Sequence, residues 1–414
     1  MRIVYQNVAG LDVHKKVVVA AIIVQRADGS WYQEKRSFET MTVNLLALSD
    51  WLQSHGVTHV AMESTGEYWK PIFNILENNF EIILVNAQHV SKVPGRKTDQ
   101  SDAEWLAELM QYGLLKASFI PPLGQRELRE LTRYRSSFVR ERSNLMNRVQ
   151  KVLESANIKL GSVVSDIMGI SSRSMLEAII DGQASPTEIA ELAKGRMREK
   201  REALAKALEG RVKAHHRFVL TELLCQIDSL EETISRFDQE IEEYCRPFKA
   251  AVVVLDTIPG IACATAETIV SEIGTDMSRF PSADHLAAWA GMAPGNNESA
   301  GKRRSGKTRK GNKALGAALT QAAQAAAHTK NTYLAAQFQR IAARRGKKRA
   351  IIAVAHSILI MAYHMIQRNQ TYQELGGNYF DKKDVEKVSQ RLVGRLEKLG
   401  FEVSLQPSST SATP

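Results

Sequence analysis

The stretch VYQNVAGLDVHKKVVVAAIIVQRADGSWYQEKRSF, residues 4–38, decides the fold class of the N-terminal part of the chain. Val4–Ala9 is apolar and stops at a glycine, Val17–Val24 is rich in β-branched residues, and Trp31–Phe38 alternates like a strand. The tetrapeptide Ala-Asp-Gly-Ser at 27–30 is typical of a hairpin turn. The pattern predicts three consecutive strands that form a meander.

Helical and strand-like patterns alternate after this meander. They are a helix over Val43–His55, a strand over His59–Met62, a helix over Tyr68–Asn78, a strand over Glu81–Val85 and a helix from near Ser101. This order predicts a mixed α/β sheet with helices on its faces. We therefore expect residues 1–118 to form one α/β domain.

The whole chain has 414 residues, 44% hydrophobic and 24% charged, which is ordinary for a globular protein of two or three domains. Its formal net charge of +10 favours a polyanionic partner without requiring one. The three cysteines form no CxxC pair, so a zinc ribbon is excluded and we expect buried free thiols. No signal peptide is recognisable, and the apolar run Ala350–Met365 is too short to span a bilayer comfortably. We expect a cytoplasmic protein with no membrane partner.

Heptad spacing of apolar residues marks the region 119–250, which we predict to be a helical coiled-coil region. Such runs are typical of long helices that pair with each other or across a dimer. Arg135 and Arg142 occupy seam positions, where charged groups or nucleic acid approach or where the arginine stems simply extend out of the seam. The two runs comprise Leu128, Leu131, Arg135, Phe138, Arg142, Leu145, Val149 and Val152, and Leu223, Ile227, Leu230, Ile234, Phe237, Ile241 and Tyr244.

The C-terminal part divides into an alanine-rich helical domain over 251–370 and a tail over 371–414. The end of the tail is low in apolar content, which is typical of disorder, so we expect the tail to be partly disordered.

Four acidic residues stand where an α/β sheet would gather them. Asp12 follows the first predicted strand, Glu63 follows the fourth, and Asp99 and Asp102 lie at the start of the last helix of the domain. Carboxylates at close range repel one another, and Mg²⁺ or Mn²⁺ bound by oxygen ligands removes that penalty. Two such ions would support an in-line phosphoryl transfer. Helix capping for Asp99 and Asp102, and solvation in loops for Asp12 and Glu63, are the structural alternatives.

The densest basic stretch of the chain surrounds two serines. Its four glycines argue against an ordinary helix, so we interpret it as a flexible loop whose cations surround a phosphate. Ser299 and Ser305 are candidate nucleophiles, and Ser299 is favoured because the small residues after it let backbone approach a phosphate. The alternative is a basic loop that only contacts nucleic acid. The cations, between 302 and 313, are Lys302, Arg303, Arg304, Lys307, Arg309, Lys310 and Lys313.

Two further features belong to the same C-terminal domain. The sequence IPGI at 258–261, followed by a helical pattern, resembles a helix-hairpin-helix whose Pro-Gly turn offers N–H groups to phosphate, although a plain helix turn fits equally well. The cluster RRGKKR at 344–349 is either a nucleic-acid contact or solvated surface.

Taken together, these motifs resemble the DEDD-type insertion-sequence transposases, which are bridge-RNA-guided serine DNA recombinases. The resemblance rests on GLDVHK at 10–15, AMESTGEYW at 61–69, GRKTDQSDA at 95–103, IPGI at 258–261 and APGNNESAGKRRSGKTRKGN at 293–312. It spans nearly the whole chain, and the combination of motifs is highly specific. It implies a resolvase-like domain with a ribonuclease-H fold at the N-terminus and a C-terminal transposase domain.

The resemblance also implies roles for individual residues. Asp12, Glu63, Asp99 and Asp102 would be the acidic tetrad that holds Mg²⁺, and Ser299 would attack DNA and form a phosphoserine link. The implied partners are donor and target DNA, a noncoding bridge RNA that pairs with both, and further copies of the chain in dimers and tetramers.

Two other functions remain open on the sequence alone. A metal-dependent junction-resolving nuclease would use water in place of Ser299. A non-enzymatic nucleic-acid-binding protein would use the acidic residues only structurally.

Overall fold

The computed structural model describes residues 2–64, 66–86, 90, 101–295, 297–299, 301–305, 307–383 and 385–406, with only the backbone described at 297–299 and 303–305. Contacts divide the chain into two compact units, Met1–Pro121 and Pro122–Pro414. The division of the second unit at 250 and 370 stays a prediction.

The first unit contains a five-stranded mixed sheet in the order β3-β2-β1-β4-β5. β1, β2 and β3 are antiparallel neighbours, whereas β4 pairs parallel with both β1 and β5. The predicted meander and the α/β class are therefore confirmed. The strands are β1 (Val8–Val13), β2 (Val17–Gln25), β3 (Trp31–Glu39), β4 (His59–Glu63) and β5 (Glu81–Val85).

Helices cover both faces of this sheet. They are α1 (Thr42–Ser54), α2 (Trp69–Leu76) and α3 (Asp102–Gln111). The apolar sides of α1 and α2 join one core with alternate sheet residues such as Leu11 and Met62. α3 packs on the opposite face, where Leu106 and Ala107 share a smaller core with Ala61. Burial on both faces explains why β1 and β2 are almost continuously apolar.

The first strand begins later than the sequence predicts. Residues 4–7 form no strand ladder: the N–H groups of Val4 and Tyr5 donate to the Gln111 carbonyl, and Asn7 accepts from His59 N–H at 3.4 Å and, through its side chain, from Gln25 N–H at 3.2 Å. The Asn7 carbonyl accepts from Thr58 N–H, and the Asn7 side chain donates to the Gly56 carbonyl. Asp12 consequently lies inside β1, one residue before its end, and does not follow the strand as predicted.

The described part of the second unit is mainly helical. Its helices are α4 (Leu123–Ser155), α5 (Leu160–Val163), α6 (Ile170–Asp181), α7 (Pro186–Glu191), α8 (Arg201–Leu208), α9 (Ala214–Cys245), α10 (Lys249–Asp256), α11 (Cys263–Ile273), α12 (Ala283–Trp289), α13 (Lys313–His328), α14 (Tyr333–Arg345), α15 (Lys347–Arg368), α16 (Tyr379–Lys383) and α17 (Val385–Glu397). Short 3₁₀ turns lie at Gly195–Lys200, Arg246–Phe248 and Met277–Arg279.

The two long heptad helices, α4 and α9, pack against each other in an antiparallel pair within one chain. Ser155 contacts His216 and Phe138 contacts Phe237, so residue numbers rise along α4 as they fall along α9. The seam arginines are engaged by acids of the partner helix. Arg142 Nη1 lies 3.2 Å from Glu231 Oε1, and Arg135 pairs with Asp238. At Arg135 and Arg142, the interpretation that charged groups approach the seam is confirmed, and these groups are carboxylates of the same chain.

Residues 160–208, to which the sequence assigns no role, form a helical cap on one end of this pair. Leu160, Met175 and Leu204 are buried in one core with Val149 of α4 and Ile227 of α9. The cap therefore stabilises the end of the pair that lies far from residues 122 and 245.

In the rest of the second unit, α15 is the central helix. It contacts α10, α12, α13 and α14, and residues such as Ala355, Ile358 and Leu359 are fully buried. Of the described helices, only α15 is long and apolar enough to cross a bilayer, which by itself is weak evidence for a membrane span. Its packing identifies it as a core helix.

All three cysteines are free, as predicted, but their expected burial is wrong for two of them. Cys245 is buried, whereas Cys225 and Cys263 are exposed.

Candidate active site and basic hairpin

Asp12 and Glu63 occupy neighbouring positions at the same end of two parallel strands. The register pairs Gly10 with Ala61 and Leu11 with Met62, so the next pair along the strands is Asp12 and Glu63. Neighbouring strands lie about 4.8 Å apart. Because side chains alternate along a strand, both carboxylates lie on the face of Gly10 and Ala61, which is the face covered by α3.

The direction of α3 brings its first residue to the same end of the sheet. Gln111, the last residue of α3, bonds to Val4 before β1, while Ala103 near the start of the helix packs on Gly10. α3 therefore runs antiparallel to β1, and its N-terminus points to the end of β1 that carries Asp12. Asp102 is the first residue of the helix, and its side chain is exposed.

The close approach of α3 depends on Gly10. A Cβ at this position would lie 2.5 Å from the Ala107 nitrogen and 2.9 Å from Leu106 Cβ, and closer still to the Ala103 carbonyl oxygen. Only glycine allows a helix to lie this close to the strand. Gly10 thus determines how near Asp102 comes to the sheet.

Asp102 is not the cap of α3. Ser101 is the N-cap, and it forms a capping box in which its N–H donates to Glu104 Oε2 at 2.9 Å. Hydrogen bonds from the Ser101 side chain and N–H, followed by the nearby Lys35, hold the pKa of Glu104 below its usual range. Since Ser101 and Glu104 satisfy the helix start, helix capping does not explain the position of Asp102.

One neighbour of this carboxylate group was not assigned a role from the sequence. His14 Nε2 lies 3.1 Å from Asp12 Oδ2, and Asp12 is 24% exposed. Among the described residues, no three His, Cys, Asp or Glu side chains are arranged to hold a metal ion. Asp99, one of the four predicted ligands, lies outside the described residues.

The basic stretch is a β-hairpin, not the flexible loop that its glycines suggest. β6 (Asn297–Ser299) pairs antiparallel with β7 (Lys302–Ser305), and Ser299 is opposite Lys302. Gly301 lies in the connecting turn with φ +72°, a conformation that favours glycine. Ser299 is thus at the tip of the hairpin, whereas Ser305 is at the other end of its strand.

Cations extend from the tip of this hairpin to the helix behind it. The side chains of Lys302, Arg309 and Lys313 are exposed, as are those of Lys307 and Lys310. The side chains of Ser299, Arg303 and Arg304 lie outside the described part of the chain. Backbone pairing between the two sides of the hairpin continues beyond β6 and β7, on the side away from the turn, where Gly295 N–H donates to the Lys307 carbonyl at 3.0 Å.

The base of the hairpin is packed backbone against backbone. A Cβ at Gly311 would overlap Ala290 and Gly291, and one at Gly291 would lie 2.8 Å from the Arg309 carbonyl oxygen. Asn312, the next residue, is the N-cap of α13 and accepts from Ala314 and Leu315 N–H groups at 3.1 Å. The hairpin therefore passes directly into a capped helix.

The turn at Pro259 and Gly260 joins α10 to α11. A Cβ at Gly260 would lie 2.5 Å from the Ala326 nitrogen of α13. Close helix packing therefore accounts for this glycine, and the plainer interpretation of the motif, a helix turn, explains it without a phosphate.

Five cations surround the corner between α14 and α15, where Gly346 has φ +82°. Arg344 and Arg345 end α14, and Lys347, Lys348 and Arg349 form the first turn of α15. All five are exposed. Cations at a helix N-terminus oppose the helix dipole, so this corner is a favourable place for an external anion.

Two family profiles match this sequence. Residues 9–158 match the profile DEDD_Tnp_IS110, described as a transposase family, and residues 253–339 match the transposase IS116/IS110/IS902 family. The first match contains the described carboxylates and the second contains the hairpin.

Curated relatives give the same grouping. The chain is 24% identical over 321 residues to the transposase for insertion sequence element IS1111A of Coxiella burnetii, which covers 76% of this chain and 79% of the relative. It is also 24% identical to the pilin gene-inverting protein of Moraxella bovis, in an alignment of 381 residues that covers 88% of this chain and 97% of the relative. A putative transposase of Sinorhizobium fredii is 23% identical over 329 residues and covers 77% of this chain and 76% of the relative.

Proposed function

This chain belongs to the IS110-type transposase family, and from that premise we propose that it cuts and rejoins DNA through a serine–phosphate intermediate. The observation that carries the proposal is the shared position of Asp12, Glu63 and the start of α3 at one end of the sheet. The strand order and the parallel β1–β4 pair also suit the ribonuclease-H-like domain that the sequence implies.

The carboxylates have the chemistry that a hard divalent cation prefers. Asp12, Glu63 and Asp102 offer only oxygen ligands, which suit Mg²⁺ or Mn²⁺. We propose that they hold such an ion together with Asp99. A bound ion would supply positive charge at a scissile phosphate. The His14 contact orients the Asp12 carboxylate.

Ser299 is the proposed nucleophile. Its Oγ would form a bond to phosphorus while the bond from phosphorus to a deoxyribose oxygen breaks; the serine proton passes to a base, and the departing oxygen gains a proton. Attack by a hydroxyl at another strand end would reverse the step and rejoin DNA. The exposed cations Lys302, Lys307 and Arg309 would stabilise the charge that develops on phosphate. Arg303 and Arg304 are proposed contacts of the same kind.

DNA is the proposed substrate, as donor and as target. The hairpin and the corner at 344–349 provide exposed cations in the same unit, and such groups contact the phosphate backbone. Relatives named as a transposase and as a gene-inverting protein are consistent with this, because moving and inverting DNA both require strands to be cut and rejoined.

Sequence specificity is proposed to come from a noncoding bridge RNA that pairs with both DNAs. We further propose that copies of the chain assemble as dimers and tetramers, so that hairpins and carboxylate groups meet between subunits. The expected location is the cytoplasm, where the DNA of a bacterial element is found.

Covalent trapping tests the proposal. Purified protein, Mg²⁺, radiolabelled DNA from the ends of its own element and RNA transcribed from the flanking noncoding segment are combined and resolved on a denaturing gel. We expect a protein–DNA adduct whose phosphopeptide contains Ser299. Ser299→Ala should abolish it, whereas Ser305→Ala should retain it. An adduct at Ser305 would show that Ser305, and not Ser299, is the nucleophile.

The acidic site needs its own matched comparison. Asp12→Asn should abolish cleavage, while Asp50→Asn, which removes the same charge from an exposed position on α1, should leave it unchanged. Cleavage without an adduct that survives Ser299→Ala would support a water-using nuclease. If the wild-type protein binds DNA but does not cleave it with any divalent metal ion added, the result would support a non-enzymatic binding protein.

A further inference from the structure

Glu272 of α11 is a buried carboxylate that the sequence does not reveal. Its side chain is fully buried, a rare environment for a charged group. Arg133 from α4 donates to both of its oxygens, with Nε 2.7 Å from Oε1 and Nη2 3.0 Å from Oε2. Arg129 Nε lies 3.2 Å from Oε2. A buried carboxylate needs this compensation, since an unpaired one is very costly.

Arg129 also fixes the backbone around Glu272. It donates to the Ser271 and Glu272 carbonyls at 3.2 Å and 2.6 Å, which are among the last carbonyls of α11. Burial lowers the pKa of Arg129 to about 10, although Glu272 opposes this shift. Glu272 is therefore held on a rigid support made by two helices.

One further donor reaches this carboxylate from the basic hairpin. Asn312 Nδ2 donates to Glu272 Oε2 at 2.6 Å. The other end of the same amide, Oδ1, caps α13. Asn312 thus joins three elements: the strand that leaves the hairpin, the start of α13 and the buried Glu272.

The position of this link is important for the hairpin. Asn312 directly follows Gly311, which packs against the residues that lead into the other side of the hairpin at Ala290 and Gly291. A change in the orientation of Asn312 would therefore tilt the base, and the tilt would be carried by the strand pairs to the tip at Ser299.

We propose that Glu272 and Asn312 are positioning residues that aim the hairpin, so that Ser299 meets the scissile phosphate in the correct orientation. This inference rests on the proposed function for its consequence in catalysis. The link between Glu272 and the hairpin can be tested without catalysis.

The test removes the donor at 312. Asn312→Asp keeps a good N-cap but removes the donor and places two carboxylates together. Asn312→Ser, which keeps a cap without the repulsion, is a milder variant should Asn312→Asp fold poorly. Thr332→Ala removes the cap of α14 far from Glu272 and is the matched control.

Hydrogen exchange gives the first readout. We expect the hairpin amides, such as that of Gly295, to exchange about tenfold faster in Asn312→Asp, because a charge-assisted hydrogen bond is lost. Thr332→Ala should match wild type in the hairpin. Unchanged hairpin exchange in Asn312→Asp and Asn312→Ser would overturn the inference, whatever the protein does to DNA.

Adduct formation gives the second readout. In single-turnover assays the adduct rate should fall at least about tenfold in Asn312→Asp, with DNA affinity changed less than about twofold. Equal loss in Thr332→Ala would indicate a merely structural role and overturn the inference. A wild-type protein that forms no adduct refutes the proposed function instead, and hydrogen exchange then still decides whether Glu272 holds the hairpin.

Discussion

Gly10→Ala is the sharpest test of how the acidic site is built. The added methyl would lie 2.5 Å from the Ala107 nitrogen, and ordinary contacts begin at 3.4 Å, so α3 must move away from β1 by about 1 Å. The clash involves helix backbone, which cannot rotate away as a side chain can. We expect a loss of about 1–3 kcal/mol in the free energy of unfolding, as for other overpacked cores.

The same displacement carries Asp102 away from Asp12. Misplacement of a catalytic group by 1 Å can cost about 100-fold in rate, so DNA cleavage should fall by about this factor while most of the protein stays folded. Urea unfolding and single-turnover cleavage measure the two effects. Gly124→Ala, with nothing within 4 Å of the new Cβ, is the control and should retain both. Wild-type stability and activity in Gly10→Ala would refute the proposed approach of α3.

Three further predictions concern other parts of the chain. Ser101→Ala should destabilise α3 by about 1 kcal/mol and raise the pKa of Glu104 towards its usual value, as measured by NMR titration. Because the folded pKa of Glu104 lies below the unfolded one, its contribution is complete above about pH 4.5 and is lost as pH falls through the folded pKa; an unchanged pKa would contradict the capping box. The combined Lys302→Ala and Lys310→Ala variant should lower the slope of log affinity for DNA against log salt by about 2, and an unaltered slope would exclude both from phosphate contact. Burial raises the pKa of Cys245 to about 12 and that of Cys263 to about 11, so maleimide at pH 8 should modify exposed Cys225 first, as read by peptide mass spectrometry.

Much of the first unit could be predicted because its signals are local. Alternation, β-branched runs and the turn at 27–30 predict β2 and β3, and the placement of Asp12 and Glu63 at strand ends predicts that they meet if β1 and β4 pair. The start of β1 could not be predicted in this way. Residues 4–7 have strand-like composition, but they bond to Gln111 and Thr58, which are far away in the sequence.

The second unit shows the same limit. Glycines suggested a flexible loop at 295–311, whereas one of them, Gly311, packs backbone against backbone on Gly291 and anchors a hairpin. In the sequence, nothing distinguishes Glu272 from an exposed glutamate on a helix. Its partners Arg133 and Asn312 lie 139 and 40 residues away, so only the folded chain reveals it.

The antiparallel pair of α4 and α9 projects from the rest of the second unit, with the start of α4 and the end of α9 lying side by side at its base. Its 33-residue first helix is about 50 Å long, yet Pro122 and Phe248, which flank the pair in the sequence, border a single groove. Extra turns inserted at matching positions in the two helices would lengthen the pair without moving the two ends at its base. The far cap at 160–208 is accordingly a natural place to attach a fluorescent label or a fused domain while the hairpin base stays undisturbed.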